Sequence, residues 1–208
     1  MKTLLFSINF EDSIKLVNYI KTKVRGDEIY AMTINNSTPL GVNTHINIKG
    51  NINEILIPQV MSYALKELYN MYNFDLIISS SVIENIDVLA AFAQLIQRDL
   101  VPNVIDFEIE SNNIMSARYA LMNKVKVIET VYDKPAILLL STTVLRGKKE
   151  NEKYDRSNEK LLEFTIDEIL KDKVNALTSN IRVVSTEEKP RGKVRIEDAE
   201  LIVSVGRG

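Results

Sequence analysis

Along the first hundred residues, short apolar runs alternate with stretches in which apolar positions recur every three or four residues. Thr3 to Asn9 opens as an apolar run and is predicted to be a strand, after which Asp12 and Ser13 offer side-chain oxygens to cap a helix. In that helix Val17, Ile20 and Val24 fall at i, i+3 and i+7, while Lys15, Asn18, Lys21 and Thr22 lie elsewhere. One face packs and the other is wet. Gly26 is the expected stop. Asp27 to Ile34 and Asn43 to Ile48 read as the second and third strands. Pro58 suits the opening turn of a helix whose Met61, Leu65, Leu68 and Tyr72 form one stripe. Phe74 to Ser79 then reads as a buried strand, Asn85 to Arg98 as a helix with Leu89, Phe92 and Ile96 on one face, and Val101 to Ile109 as another strand. Strands alternating with amphipathic helices require a mostly parallel sheet covered on both faces, because each crossover lays its helix on the sheet.

From Asn113 the pattern changes. Ile114 to Leu121, Lys124 to Val131 and Ala136 to Thr142 are strand-like runs with no helix between them, so a smaller antiparallel region is expected. Arg146 to Lys160 is almost wholly polar, with six positive and four negative charges, the pattern of a long solvated loop. Leu161 to Ile166 reads as a strand, Asp167 to Leu177 as a short helix, Ile181 to Thr186 as a strand, and Pro190-Arg191-Gly192 as a linker. Ile196 to Ala199 precedes a terminal buried strand, Glu200 to Val205.

Composition narrows the chemistry. The 208 residues suffice for one compact domain with appendages, and 45% apolar with 26% charged residues is ordinary for a globular chain. A net charge of −2 supplies no field toward phosphate backbones or anionic lipid, which argues against nucleic acid as a partner. There is no cysteine, which removes disulfides, thiolate metal sites and thiol catalysis. A single histidine, His45, must serve any Ser-His-Asp arrangement. The longest aliphatic stretch, near Ala136 to Leu140, is far short of a membrane span, and the cytoplasm is the expected compartment.

Candidate sites follow from this inventory. The turn Ser7 to Ser13 occupies the place where an open α/β sheet meets a phosphate, yet it has no glycine, and only its closing Asp12-Ser13 resembles the loop of the PP-loop ATP pyrophosphatases. Helix capping accounts for its polar residues. His45, between Thr44 and Ile46, is expected at a surface or edge. Glu84, Asp87, Asp106, Glu108 and Glu110 could supply a carboxylate pair, but the last three alternate along one strand and share a face, which solvent exposure explains. Lys189, Arg191, Lys193 and Arg195 balance Glu187, Glu188, Glu197 and Asp198, as in a solvated hinge.

The end of the chain is more specific. A buried-strand run closes on Gly206-Arg207-Gly208, and such a turn at a strand's carboxyl end is where α/β sheets meet ligands. A further domain, continuing the chain or supplied by another, is expected there. Ile196-Glu197-Asp198-Ala199-Glu200-Leu201-Ile202-Val203-Ser204-Val205-Gly206-Arg207-Gly208 resembles the Leu-x-x-Ala-x-x-Val-Val-Ser-Gly-Gly-Arg-Gly segment of the electron transfer flavoprotein alpha subunit. Asp75 to Ser81 with Asn85, the Ala90-Ala91 helix, Val101 to Asp106 and Ser116-Ala117-Arg118-Tyr119 follow that family's N-terminal part in order. Val205 stands where the family has the first glycine of the pair.

The resemblance implies a three-layer α/β/α domain, adenine nucleotide alpha hydrolase-like, over residues 1–188. Residues 189–208 would be the linker and first strand of an FAD-binding domain. It further implies an electron carrier rather than a catalyst in its own right. Such a carrier takes electrons from flavin dehydrogenases, such as the acyl-CoA dehydrogenases of fatty acid beta-oxidation, and passes them to a quinone oxidoreductase or another acceptor. The partner would be the family's beta subunit. FAD would belong to the complete heterodimer, with none held by this chain alone and Gly206, Arg207 and Gly208 as the entrance to the flavin domain. The competing expectations are an adenine-nucleotide-binding module akin to universal stress proteins or PP-loop enzymes, and a non-catalytic interaction domain.

Overall fold

A computed structural model describes residues 1–24, 28–110, 113–120, 124–131, 134–146, 158–171, 173–178, 181, 183–185, 203, 204 and 206. In chain order the elements are β1 (Lys2–Phe6), α1 (Phe10–Lys23), β2 (Glu28–Ile34), β3 (Thr44–Lys49), α2 (Ile52–Ile55), α3 (Pro58–Tyr72), β4 (Leu76–Ser80) and α4 (Ile83–Ile96). They continue with β5 (Leu100–Glu110), β6 (Asn113–Ala120), β7 (Val125–Val131), β8 (Ala136–Leu140), α5 (Thr142–Leu145), β9 (Lys160–Thr165), α6 (Ile166–Leu170) and α7 (Val174–Thr178).

Among the described residues the strands form one nine-stranded sheet, ordered β7-β6-β5-β8-β4-β1-β2-β3-β9. The seven strands from β5 to β9 along that order pair in parallel, and β5, β6 and β7 pair antiparallel. Alternation along the strands feeds two cores. Leu4, Phe6, Met32, Ile46, Ile77 and Leu139 face α3, α4, α6 and α7, while Leu5, Ala31, Ile78, Leu138 and Leu140 face α1. The protein is therefore a three-layer α/β/α fold.

The helical stripes pack as their spacing predicts, with Val17, Ile20, Met61, Leu65, Leu68, Leu89 and Phe92 all buried. Several local expectations change. The cap of α1 is Asn9, whose Oδ1 accepts from the Glu11 N–H at 2.8 Å; Asp12 and Ser13 lie inside the helix. The expected stop at Gly26 lies outside the described residues, and α1 is capped at Val24. β8 is not an antiparallel neighbour of β7. It is buried throughout, so it returns to the sheet interior, between β4 and β5, where both of its faces are covered. The helix expected over Asp167 to Leu177 is two short ones, separated at Lys171 by a positive φ of 49°. The first opens with a capping box between Thr165 and Glu168. Ile181 and residues 183–185 form no strand.

Among the described residues, no helix is long and apolar enough to cross a membrane.

Candidate functional site

In an open α/β sheet the ligand position is the crevice where successive connections diverge to opposite sides. Here β1 leads toward β2 and β4 leads toward β5, so that point lies at the carboxyl ends of β1 and β4, after Phe6 and Ser80. The residues gathered there are Ser7, Asn9 and Asp12 from the first turn and Ser79, Ser80 and Asn85 from β4 and the opening of α4. Ser7, Ser79, Ser80 and Asn85 are all buried.

Their hydrogen bonds close on one another. Asn85 accepts from the Ile8 N–H at 3.0 Å and donates to Ser80 Oγ at 2.9 Å and Ser7 Oγ at 3.3 Å. Ser80 Oγ donates to Asp12 Oδ2 at 2.9 Å, and Ser79 Oγ donates to the Phe6 carbonyl at 2.6 Å. The N-terminus of α1, the natural place for a phosphate, is already served by Asn9 and carries Glu11 and Asp12 in its first turn. Glu84 and Asp87 add exposed carboxylates on α4. The polar side chains of the crevice are engaged with one another. Although Lys15 Nζ stands 3.5 Å from Asp12 Oδ1, Glu11, Glu84 and Asp87 leave an acidic excess around the crevice, which opposes an incoming phosphate.

The second polar centre is one that sequence reasoning misplaced. His45 is neither exposed nor at an edge: it is fully buried in β3, between β2 and β9. Its Nε2 lies 2.6 Å from Thr33 Oγ1, which lies 2.6 Å from the Asn36 carbonyl oxygen. A carbonyl only accepts, so the threonine proton points there and Nε2 carries the ring N–H. On the other side, Glu159 Oε1 stands 3.1 Å from Nδ1, although no well-directed hydrogen bond joins them. The Glu159 side chain is 4% exposed. Its oxygens accept from the backbone N–H groups of Leu40, Gly41 and Val42. Gly41 has a φ of 75°, and this left-handed turn lets three successive N–H groups converge on one anion.

The histidine, hydroxyl and carboxylate suggest a nucleophilic triad, but the geometry denies it. The hydroxyl and the ring are both buried, and the hydroxyl proton is committed to a carbonyl rather than to the imidazole. The cluster instead ties the Leu40–Val42 turn and the start of β9 to the middle of β3. Glu159 was expected in a solvated loop. Its partners lie 114 to 119 residues away, and no local pattern distinguishes it from the other charges of its run.

Burial pushes the His45 imidazole below its ordinary value of 6.5, and the nearby carboxylates of Glu159 and Glu163 only partly oppose this. A histidine held neutral in the fold contributes its full stability above the unfolded value and loses it as the pH falls toward the depressed folded value. The protein is therefore expected to weaken progressively below about pH 6.5. Because His45 is the chain's sole histidine, its imidazole proton resonance can be followed by NMR without assignment. A titration midpoint at or above 6.5 would contradict the expectation.

The remaining candidates are dispersed. Asp106 is turned to α1, where it receives Lys23 and the Tyr19 hydroxyl, and Glu108 is exposed. The Glu110 side chain and residues 186–200, with their balanced charges, lie outside the described residues, as do Arg207 and Gly208. Val203 is 80% exposed, and neither it nor Ser204 belongs to a strand, contrary to the buried terminal strand expected there. A Cβ placed on Gly206 would meet nothing within 4 Å, so no close backbone approach demands glycine there. Among the described residues no group of three or more metal-ligating side chains occurs. No protein-family model matches the chain, and no curated protein matches it.

Proposed function

We propose that the chain is the N-terminal α/β domain of an electron transfer flavoprotein alpha subunit, acting as a scaffold and docking domain in a cytoplasmic electron carrier. The family assignment rests on the sequence resemblance. The structural observation that favours scaffold over ligand binder is the closed network of Ser7, Ser80, Asn85 and Asp12. A domain that held a nucleotide at that point would keep donors free there, and this one spends them on its own carboxylate and carbonyl groups.

In this reading FAD is held by the complete heterodimer, outside the residues described here, and supplies the redox chemistry when bound. This domain's task is geometric. It presents a rigid sheet to the beta subunit and to the flavin-holding region, so that electrons from a flavin dehydrogenase can be taken up and handed to a quinone oxidoreductase or another acceptor. No side chain need act as acid, base or nucleophile.

The test is reconstitution. The chain, mixed with a beta subunit of the family and the flavin-holding C-terminal region of an alpha subunit, is expected to co-elute with flavin absorbance on gel filtration. Titration of the chain alone with ATP or AMP is expected to give no saturable heat. A colourless, non-associating mixture together with micromolar nucleotide binding would replace this reading with that of a nucleotide-binding module.

A further inference from the structure

The antiparallel strands β5, β6 and β7 extend the sheet and have two unlike faces. Phe107 and Ile114 point to the side covered by α1, where Phe107 meets Tyr19. The opposite face is organised in cross-strand rows: Glu108, Met115 and Thr130; then Ala117 and Ile128; then Tyr119 and Lys126, while the Asp106 side chain turns to α1. Ile128 is 65% exposed and Tyr119 52% exposed. Ala117, the smallest of the set, forms the floor of a hollow walled by Glu108, Met115, Lys126 and Ile128. Glu108 and Lys126, at diagonal corners of the grid, form no ion pair among the described residues.

We infer that this face is the contact of a homodimer, packed sheet on sheet with the strands of the two copies crossing at close to a right angle. The face is self-complementary. A two-fold axis lying along the other diagonal of the grid, through Ala117 and Thr130, exchanges rows with strands. It sets Glu108 of each copy against Lys126 of the other, and Met115 against Ile128. The two Ala117 residues meet at the axis, where the absence of bulk allows the sheets to approach. Orthogonal packing of this kind is one of the two arrangements that sheet faces adopt. The aligned arrangement instead sets Glu108 over Thr130, which leaves the charges of Glu108 and Lys126 unpaired.

The face sets the strength. Three strands spaced about 4.8 Å apart, each about eight residues long at about 3.4 Å per residue, span roughly 14 by 27 Å. Crossed at a right angle, two such strips share only about 14 by 14 Å, far below the size of a standard stable interface, so a weak, reversible dimer with Kd of about 0.1–1 mM is expected.

Sedimentation equilibrium across that range tests the inference with the full chain, independently of the flavin reading. Glu108→Lys and Lys126→Glu should each weaken dimerisation by about tenfold or more, because the two-fold repeats every changed contact, and the double variant should recover to within about threefold of the wild type. Both positions are exposed, and circular dichroism should show the fold unchanged. A chain monomeric throughout, single variants that dimerise as well as the wild type, or a double variant no better than the singles would each overturn the proposal.

Discussion

Replacing Glu159 with alanine should lower the free energy of unfolding by about 3–5 kcal/mol, the cost of leaving several buried donors without an acceptor at about 1–3 kcal/mol each. Three backbone N–H groups, on Leu40, Gly41 and Val42, would lose their acceptor. None can turn to water without opening the turn between β2 and β3. Against a typical total of about 5–15 kcal/mol, the loss is large. Glu159→Gln should cost less, since its amide oxygen still accepts while the charge that gathers three donors is gone. Urea unfolding of the two variants beside the wild type gives the comparison. A Glu159→Ala protein within about 1 kcal/mol of wild type would show that the cluster does not hold the Leu40–Val42 turn and β9 in place. Hydrogen exchange should place the damage at β9 and the Leu40–Val42 turn before the centre of the sheet, because β9 is the edge strand that this carboxylate anchors.

Asn85→Leu is expected to cost about 2–4 kcal/mol, because a buried amide of near-equal size becomes unable to pair. The Ile8 N–H loses its acceptor, and Ser7 Oγ and Ser80 Oγ lose a donor. Asn85→Asp separates the two halves of the effect. It keeps an acceptor for Ile8 but removes both donated bonds, and it brings a second carboxylate toward Asp12, which Ser80 Oγ already contacts. Its stability should therefore recover as the pH falls through the range in which carboxylates protonate, whereas that of the leucine variant should not. Equal pH profiles for the two would mean that Asn85 acts by shape alone.

These two positions show where local pattern ends. The paired helices and strands of the first hundred residues were legible because burial on a helix face or in a strand leaves a period in the sequence. Val17, Met61 and Phe92 needed no partner to be recognised as core. Asn85 was visible as a helix start and as one residue of the family resemblance, but its role depends on the turn after β1, 77 residues away. His45 was misread for a similar reason. In β3 it is flanked by strands from two distant parts of the chain, and β9, which turns β3 from an edge into an interior strand, follows the most polar stretch of the sequence. The uniformly apolar β8 carried the hint that it lies inside the sheet, since an antiparallel strand with one wet face would alternate.

By itself, the sequence determined the α/β class, the parallel character of the first half, the antiparallel change after Asn113 and the exclusion of thiol chemistry, because each is a matter of composition or short-range period. Only the tertiary structure decided that the polar side chains between β1 and β4 pair with one another, that His45 and Glu159 meet inside the sheet edge, and that Glu108 and Lys126 mark opposite corners of one face. The reason is common to all three: polar groups choose their partners by distance in space, and hydrogen-bond satisfaction between residues a hundred positions apart leaves no periodic trace along the chain.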